Sequence, residues 1–308
     1  MSECNLCGGS LGRVVYPFGT RWSGRTFRYR KCQTCRSSIV DPYPGDDDFA
    51  AMYRQESYHD DFYGNVDEEV TEPAFNSFRS KLPANATILD FGCGNGAFLR
   101  QAAGAGFTVH GVELDREAQR IAAANSGCRV ASLEELIREG RRYDVIHLGD
   151  VLEHLPRPAE TLAELEQLLA PDGYYFLEGP IEDNASLVFA ASKLFGHLKS
   201  ALGLPVLADL PPYHLFRTSW HAQRRFLECR MGYRIMHYRV FETGWPYLQP
   251  GDRLRSPRSP SHALRMAIGE ASRWLAALTR PLGLALGNRF AALAIPNQQA
   301  EISTGRRF

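Results

Sequence analysis

The sequence lacks net charge, long hydrophobic runs and a dense set of cysteines. Its 35 lysines and arginines balance 35 aspartates and glutamates, so a generally basic nucleic-acid-binding surface is not indicated, although a local patch is compatible with this balance. No uncharged run reaches the roughly 18 residues that a membrane span needs. No N-terminal segment combines a basic start, an apolar core and a small-residue cleavage site. We therefore expect a cytoplasmic protein.

The cysteines suggest a metal rather than disulfides. Seven in 308 residues are too few and too unevenly placed for a secreted disulfide scaffold. Four of them form two C-x-x-C pairs around a 24-residue segment rich in Gly, Thr, Arg and aromatic residues. The pairs are Cys4 with Cys7 and Cys32 with Cys35. Each pair places two sulfurs on one tight turn, and the segment between them predicts a β-hairpin that brings both turns around Zn²⁺.

We therefore predict a zinc ribbon at residues 1–42. So short a segment buries little apolar surface, and metal binding would supply the missing folding free energy. Four thiolates leave no open position on the metal, so the zinc would be structural. The alternative is two redox-active pairs, although neither pair has the βαβ context that such pairs usually have.

The central motif of the sequence is TILDFGCGNG at residues 87–96. An apolar run ends in Asp90 and is followed by glycines at alternate positions: Gly92, Gly94 and Gly96. Such a run is typical of a buried parallel strand, and the glycines let a ligand lie against the backbone. A second predicted strand, residues 108–113, ends in Glu113, 23 residues after Asp90. At this offset in doubly wound sheets an acid meets ribose hydroxyls.

On these residues the chain resembles the class I S-adenosylmethionine (SAM) dependent methyltransferases, whose first motif is an acid followed by this glycine loop. A second resemblance is the sequence GDVLEHLPRP at residues 149–158, after a predicted strand at 143–148. The motif D-V-L-E-H-L-x-x-P is widespread in the branch that includes sugar, quinone and small-metabolite enzymes. The resemblance implies an enzyme with SAM as cofactor. It also implies an α/β fold with a Rossmann-like sheet of seven strands, the last antiparallel, over residues 84–296.

The resemblance also implies where SAM binds. The glycines would admit the methionine part, Glu113 would hold the ribose, and Asp90 and Asp150 would border the pocket. Ser132 begins a helix with a capping box, at a position where many relatives carry an acid for the adenine amino group. That contact would be weaker here or come from the backbone. The predicted set is Asp90, Gly92, Gly94, Gly96, Glu113, Leu114, Ser132, Leu133, Gly149 and Asp150.

Three residues are the candidates for catalysis. For His154, three roles compete: shaping the SAM pocket together with Glu153, acting as general base, or binding a divalent metal with Asp150 and Glu153. His214 lies in the sequence PPYHLF, and the resembled family often places a histidine here that points into the active site. It is predicted to be a substrate-facing base with Tyr213 beside it. The alternative is that His214 caps the following helix or packs under it.

The remaining segments are predicted to be a helical lid or linker at 43–83, helical inserts at 183–230 and 250–287, and a tail at 297–308. In the lid, Tyr58 or Tyr63 would face the substrate or pack between domains. Arginines near the second insert would contact phosphates of a nucleotide-linked or lipid-linked substrate, or be solvated; they are Arg253, Arg255 and Arg258.

Both inserts carry apolar rows at helical spacing. The first row is Leu187, Ala191, Leu194, Leu198 and Leu202, and the second is Leu264, Ile268, Ala271, Leu275, Leu278 and Leu282. The rows admit three interpretations: a core or homodimer helix, a lid over a bulky apolar substrate, or a helix on a membrane surface, which would make the protein membrane-peripheral.

We predict methyl transfer from SAM to a small-molecule, sugar-derived or lipid-linked acceptor, as O- or C-methylation in a biosynthetic pathway. The ribbon-plus-domain arrangement resembles methyltransferases of antibiotic, sugar and surface-polysaccharide pathways. The arrangement departs from that of the zinc-containing deoxysugar C-methyltransferases, which carry a further C-terminal domain after the last strand, and this departure argues against carrying over their nucleotide-sugar substrate. Two alternatives are an RNA methyltransferase whose ribbon grips nucleic acid, which the neutral charge balance disfavours, and a non-catalytic SAM-binding scaffold.

Overall fold

The computed structural model describes residues 3–16, 18–53, 73–244 and 260–297. The features predicted for Tyr58, Tyr63, the three arginines at 253–258 and the tail beyond residue 297 lie outside these residues. The chain divides into two compact units, and each is described here by itself. The first unit comprises Met1–Tyr43, Pro180–Arg230 and Tyr238–Phe290, and the second comprises Pro44–Gly179, Met231–His237 and Ala291–Phe308. The predicted boundaries of ribbon, lid and inserts stay predictions.

The strands of the described residues follow in chain order. They are β1 (Leu11–Val14), β2 (Gly19–Trp22), β3 (Arg25–Cys32), β4 (Ser38–Asp41), β5 (Thr87–Phe91), β6 (Thr108–Val112), β7 (Arg129–Ala131), β8 (Tyr143–Gly149), β9 (Leu169–Pro180), β10 (Leu207–Ala208), β11 (Phe216–Arg217), β12 (Arg234–Phe241) and β13 (Arg289–Ile295).

The α-helices of the same residues are α1 (Asp46–Tyr53), α2 (Pro73–Phe78), α3 (Ala97–Gly104), α4 (Arg116–Ser126), α5 (Leu133–Glu139), α6 (Pro158–Leu165), α7 (Leu187–Ala201), α8 (Trp220–Arg225) and α9 (Pro260–Thr279). Short 3₁₀ turns lie at Arg79–Lys81, Leu152–His154, Glu166–Leu168 and Arg280–Leu282, and a π-helical turn follows α8 at Phe226–Arg230. None of the helices in the described ranges is long and apolar enough to cross a membrane.

The first unit contains a six-stranded sheet in the order β10-β2-β3-β4-β11, with β1 also paired to β3. Strands β2 and β3 form the hairpin expected between the cysteine pairs, and Trp22 pairs with Arg25. The two residues of its loop, Ser23 and Gly24, both have positive φ, as tight hairpins require. Strand β11 pairs with β4, and β10 pairs with β2. The N-terminal sheet is thus extended by two short strands from residues 207–217.

The second unit is built on a seven-stranded sheet in the order β12-β13-β9-β8-β5-β6-β7. Strands β5 to β9 run parallel, because each returns through a helix or turn to the same starting edge. The prediction of a Rossmann-like class I methyltransferase sheet, with seven strands and the last antiparallel, is confirmed. Central strands are buried on both faces: Ile88, Leu89, Val145 and Ile146 are fully buried.

Local capping chemistry sets where the helices of this unit begin and end. Asp115 accepts from the backbone N–H groups of the first turn of α4, and Ser132 forms the predicted capping box with Glu135 at the start of α5. Gly127 and Gly140 end these helices in the left-handed region. These caps fix the loops that follow β6 and β7 at one edge of the sheet.

Candidate active site

The predicted SAM residues lie at the carboxyl ends of β5 to β8. Because these strands are parallel and in register, their ends meet at one edge: Phe91 pairs with Val112, and Val112 pairs with Ala131. The second unit therefore brings the predicted cofactor residues to one sheet edge. These residues are Asp90, Gly92, Gly94, Gly96, Glu113, Leu114, Ser132, Leu133, Gly149 and Asp150. The catalytic candidates Tyr213 and His214 belong to the first unit.

The loop after β5 needs its glycines. All three have positive φ, at 76° for Gly92, 52° for Gly94 and 83° for Gly96, which L side chains rarely adopt. A Cβ on Gly92 would lie 2.7 Å from Cγ2 of Val151, and one on Gly96 would lie 2.6 Å from the carbonyl oxygen of Ala122. The glycines thus let the loop approach both the turn after β8 and helix α4.

Glu113 connects the end of β6 to the glycine loop. Its Oε2 accepts from the backbone N–H of Gly94 at 3.0 Å, and its Oε1 accepts from the N–H of Leu114 at 2.7 Å. The side chain of Leu114 is 81% exposed beside it. A fixed carboxylate suits sugar hydroxyls, and an exposed leucine offers an apolar face to a flat base. The residues present therefore fit the nucleoside part of SAM.

Ser132 uses both of its polar groups inside its own helix cap. The hydroxyl oxygen accepts from the N–H of Glu135 at 3.2 Å, and the N–H of Ser132 donates to Oε2 of Glu135, also at 3.2 Å. Leu133, the next residue, is partly exposed. The structure thus leaves Leu133 as the better placed of the two for contact with an adenine ring.

Asp90 is held by a histidine that the motif analysis missed. His147 lies on β8, and its Nδ1 is 2.7 Å from Oδ1 of Asp90 while its Nε2 is 3.2 Å from Oε1 of Glu178. All three residues are 2% exposed. The ring of His147 also stacks on Phe98, with 3.7 Å between ring centroids. A histidine inside the apolar run YDVIHL was the signal in the sequence, since a buried polar side chain needs a partner.

The charge state of this group follows from its surroundings. Burial by itself would lower the pKa of His147, but the hydrogen bond and the charge of Asp90, joined by those of Glu178, raise the pKa to about 10. His147 is therefore protonated at neutral pH and donates from both ring nitrogens. Directly under the glycine loop, a buried cation thus bridges two carboxylates.

The loop after β8 carries backbone strain at a predicted site residue. Asp150 has φ of 53°, which is uncommon for a residue with a side chain and often marks functional sites. Its N–H donates to the carbonyl oxygen of Glu178 at 3.1 Å. His154 ends the following 3₁₀ turn, with Nε2 3.8 Å from Oε1 of the buried Glu153. This distance is longer than a hydrogen bond.

In the first unit, His214 is oriented by Glu182. The Nδ1 of His214 lies 2.8 Å from Oε2 of Glu182, and the carbonyl oxygen of His214 accepts from the hydroxyl of Tyr29 at 2.6 Å. A carboxylate on one ring nitrogen fixes the tautomer and orientation of the ring. Tyr213 is half-buried, and its N–H donates to the carbonyl oxygen of Pro211. Sequence reasoning missed Glu182, which lies in a segment with no helical or strand periodicity.

Glu182 also meets a buried arginine. The Nε of Arg217 is 3.2 Å from Oε2 of Glu182. The guanidinium carbon lies 4.1 Å from the ring centroid of Tyr29, 4.9 Å from that of Tyr16 and 5.4 Å from that of Phe18. These distances are those of cation–π contacts. Glu182 thus contacts both His214 and Arg217.

The four cysteines of the two pairs come together in the first unit. The Sγ atoms of Cys4 and Cys35 are 3.7 Å apart, and those of Cys7 and Cys32 are 3.5 Å apart. All four Sγ atoms lie within 4.8 Å of one another. A tetrahedral zinc with Zn–S bonds of about 2.3 Å needs sulfurs about 3.8 Å apart, so the cluster fits this ion. Their shared hydrogen bond lowers the pKa of the Cys35 thiol to about 5 and raises the pKa of Cys4.

A comparison with known families identifies the family of this chain. Residues 66–256 match the family described as a methyltransferase domain, which is more than half of the sequence. The chain belongs to this methyltransferase family. The predicted class I SAM-dependent methyltransferase domain is thereby confirmed, together with SAM as the cofactor of the family.

Curated relatives of this methyltransferase match over a shorter region. A protein of Paraburkholderia phytofirmans named ubiquinone biosynthesis O-methyltransferase is 34% identical over 116 residues, which are 35% of this chain and 50% of the relative. One of Burkholderia multivorans with the same name is 36% identical over 115 residues, again 35% of this chain and 50% of the relative. The chain thus spans about half the length of these relatives.

The chain was also compared with solved structures. A SAM-dependent methyltransferase from Archaeoglobus fulgidus superposes with a TM-score of 0.48 and 17% identity, covering 77% of this chain and 97% of the other.

Proposed function

We propose that this methyltransferase transfers the methyl group of SAM to an oxygen atom of a small-molecule acceptor in a biosynthetic pathway. The observation that carries the proposal is the clamp of Glu113 on the glycine loop, at the carboxyl edge of a sheet whose sequence belongs to the methyltransferase family. The choice of oxygen is supported by the names of the curated relatives, which are O-methyltransferases of ubiquinone biosynthesis. Because the match covers only half of each relative, we do not assign their substrate to this chain.

The protein has a limited chemical task. When bound, SAM supplies a methyl group that its sulfonium already activates for attack. The chain must hold the nucleoside, orient the acceptor and exclude water. On this proposal the three glycines of the loop admit the amino-acid part, Glu113 accepts from the ribose hydroxyls, and Leu114 and Leu133 contact the base.

An acceptor oxygen must also lose a proton. We assign this step to His214 or His154, because a histidine titrates near working pH and accepts a proton when neutral. His214 has the better support: Glu182 holds its Nδ1 at 2.8 Å, and this bond would stabilise the ring once it becomes charged. Tyr213 beside it is proposed to position the acceptor.

The four-cysteine cluster is proposed to hold structural zinc. Its sulfur spacing matches the ion, and four thiolates would complete a tetrahedral shell with no place for substrate. The metal would link the cysteine turn that precedes β1 to the cysteine turn that connects β3 and β4. The ribbon would then stabilise the sheet that carries Tyr29, a partner of His214.

The first test is titration calorimetry with SAM and S-adenosylhomocysteine, on protein whose zinc content has been assayed by mass spectrometry. The proposal expects saturable binding of both ligands and one zinc per chain. Absence of binding by folded, zinc-loaded protein would overturn the SAM site. Binding without product from any acceptor would instead favour the scaffold alternative, and salt-sensitive RNA binding would favour the nucleic-acid alternative.

The second test addresses the acceptor. Protein and SAM are incubated with hydroxylated aromatic, sugar and lipid-linked acceptors, and formation of S-adenosylhomocysteine is measured. With an active acceptor, His214→Ala should lower kcat strongly and leave the affinity for SAM unchanged. Unchanged turnover in His214→Ala would remove this residue from the scheme and leave His154 as the candidate base. His221→Ala, which changes a histidine on α8, is the matched control.

A further inference from the structure

Helices α7 and α9 of the first unit expose their large apolar side chains. On α7, Leu194 is 61% exposed and Leu198 is 52% exposed, while on α9 Trp274 is 68% exposed and Leu278 is 69% exposed. Leu282, in the turn after α9, is 74% exposed. Four of these side chains belong to the two apolar rows identified in the sequence, and the row members Leu187, Leu202, Leu264 and Leu275 are exposed as well. The rows do not lie in a core, so the core interpretation does not hold for them.

The buried positions of the same helices are mostly small. They are Val188 and Gly196 on α7 and Gly269 and Ser272 on α9. The two helices pack against each other, and small residues permit a close approach of their backbones. An ordinary amphipathic helix of a globular domain turns its large apolar residues inward. Here the large apolar residues face outward.

Polar contacts fix α9 in this orientation. The hydroxyl of Ser272 donates to Oε2 of Glu242 at 2.8 Å. Arg273 bonds to the carbonyl oxygen of Thr243 and to Glu270. Rotating the helix to bury its leucines would break these bonds, and Glu242 also accepts from Ser186, just before α7. The exposed face is therefore built into the packing of the unit.

The two helices are also basic, whereas the whole chain has no net charge. Residues 187–201 and 260–282 contain Glu270 as their one acidic residue, and their basic residues are Lys193, Lys199, Arg265, Arg273 and Arg280. Arg273 pairs with Glu270, and Lys193 lies 3.8 Å from Asp183. Lys199 and Arg280 are exposed at the ends of the apolar rows. A cationic rim beside exposed leucine and tryptophan is typical of helices that lie in a membrane interface.

We propose that α7 and α9 bind the surface of a bilayer that contains anionic phospholipid. The leucines and Trp274 would enter the region between headgroups and acyl chains, and Lys199 and Arg280 would meet the phosphates. Charge favours this occupant over a second copy of the chain. A symmetric dimer through this face would bring two copies of the same positively charged patch together, whereas an anionic surface complements the patch.

Vesicle flotation of the full chain tests the proposal. Binding is expected to vesicles of phosphatidylcholine mixed with phosphatidylglycerol, and much less to phosphatidylcholine alone. Each change Leu194→Gln, Leu198→Gln and Leu278→Gln should weaken binding about ten-fold, because each removes apolar surface from the interface. Each change Lys199→Gln and Arg280→Gln should weaken it about five-fold, and added salt should do the same.

Matched controls are Val14→Gln and Met236→Gln, which change exposed apolar residues elsewhere in the chain and should leave binding unchanged. Fluorescence gives a second readout: mixed vesicles should shift the emission to the blue, and Trp274→Phe should remove that shift. Light scattering after gel filtration measures the oligomeric state and so tests the alternative that a second copy of the chain covers this face. A dimer that the three leucine changes dissociate, or a monomer that binds neither kind of vesicle, would overturn the proposal.

Discussion

Among the residues that the structure describes, each unit contains a buried cation, and the two cations differ in chemistry. In the first unit, Arg217 lies against Tyr16, Phe18 and Tyr29 and forms an ion pair with Glu182. In the second, His147 lies between Asp90 and Glu178. A guanidinium stays charged throughout the pH range in which proteins are folded. An imidazolium does not, so the same arrangement is permanent in one unit and titratable in the other.

The difference reflects how each unit is held together. The second unit has parallel strands of three to twelve residues with fully buried Ile, Leu and Val, and its buried His147 lies under the glycine loop that is predicted to bind SAM. The first has strands of two to eight residues and helices whose large apolar residues are exposed. Its contacts include the Arg217–Glu182 ion pair and the cysteine cluster. Its stability should therefore respond to metal, and that of the second unit should respond to pH.

The largest expected effect is that of removing the proposed zinc from the first unit. Chelation, or Cys32→Ser at a fully buried position, should remove most protection from amide hydrogen exchange in β1 to β4, because zinc binding is coupled to the folding of such short segments. Protection in β5 and β8 should remain. Cys229→Ser, at an exposed cysteine outside the cluster, is the control and should change neither. Equal loss of protection in both sheets would contradict this division of roles.

The next effect is that of Arg217→Met. Removal of the cation leaves Glu182 partly buried without its arginine partner, and breaking such a pair costs about 3–5 kcal/mol. Urea unfolding measures this change as a fall in the free energy of unfolding. Arg21→Met is the control, since the Arg21–Asp209 pair is exposed and should contribute under about 1 kcal/mol. Similar costs for both variants would show that Arg217 does not hold the first unit together.

The sequence predicted the parts of the molecule that local patterns encode. The apolar runs, the alternating glycines and the serine cap at Ser132 each depend on neighbouring residues, so the sheet, its carboxyl edge and the helix start at α5 could be predicted. The cysteine cluster was also predictable, because C-x-x-C spacing constrains geometry directly. The position of the predicted SAM residues at one edge then follows from the parallel strands.

The rest depends on contacts between residues distant in the chain. His147 meets Glu178 only because β8 and β9 pair in one register, and Glu182 meets Arg217 across 35 residues of sequence. The strand β11 is two residues long, and its partner β4 lies far from it in sequence. Periodicity also identified the apolar rows of α7 and α9 but not the direction in which they face, since that is set by small residues and by Glu242.

Measuring the free energy of unfolding at several pH values distinguishes the contribution of His147 from that of Arg217. The pKa of His147 is raised to about 10 in the folded protein, above the value of about 6.5 for an unfolded histidine. Its stabilising contribution, a few kcal/mol, is therefore fully present below about pH 6.5 and is lost as pH rises through about 10. His147→Gln should destabilise the protein near neutral pH, and the difference from the parent should shrink as pH rises.

Arg217→Met provides the comparison for that series, because its cost should stay constant between pH 6 and about pH 10. The measurement is the free energy of unfolding from urea titrations at each pH, for the parent and both variants. A constant cost for His147→Gln across this range would mean that His147 is neutral in the folded protein and does not form a charged bridge.

The smallest expected effect on stability, and a selective one on binding, is that of Glu113→Gln. This carboxylate bonds to backbone N–H groups at the sheet edge, where an amide oxygen can still accept one bond, so the free energy of unfolding should change by about 1 kcal/mol or less. If Glu113 accepts from ribose hydroxyls, the Kd for S-adenosylhomocysteine should rise about ten-fold, as expected for loss of a charged acceptor. Glu134→Gln, in the first turn of α5, is the control. An unchanged Kd, or a loss of stability as large as that of Arg217→Met, would place Glu113 among the charges that hold the fold rather than those that hold the ligand.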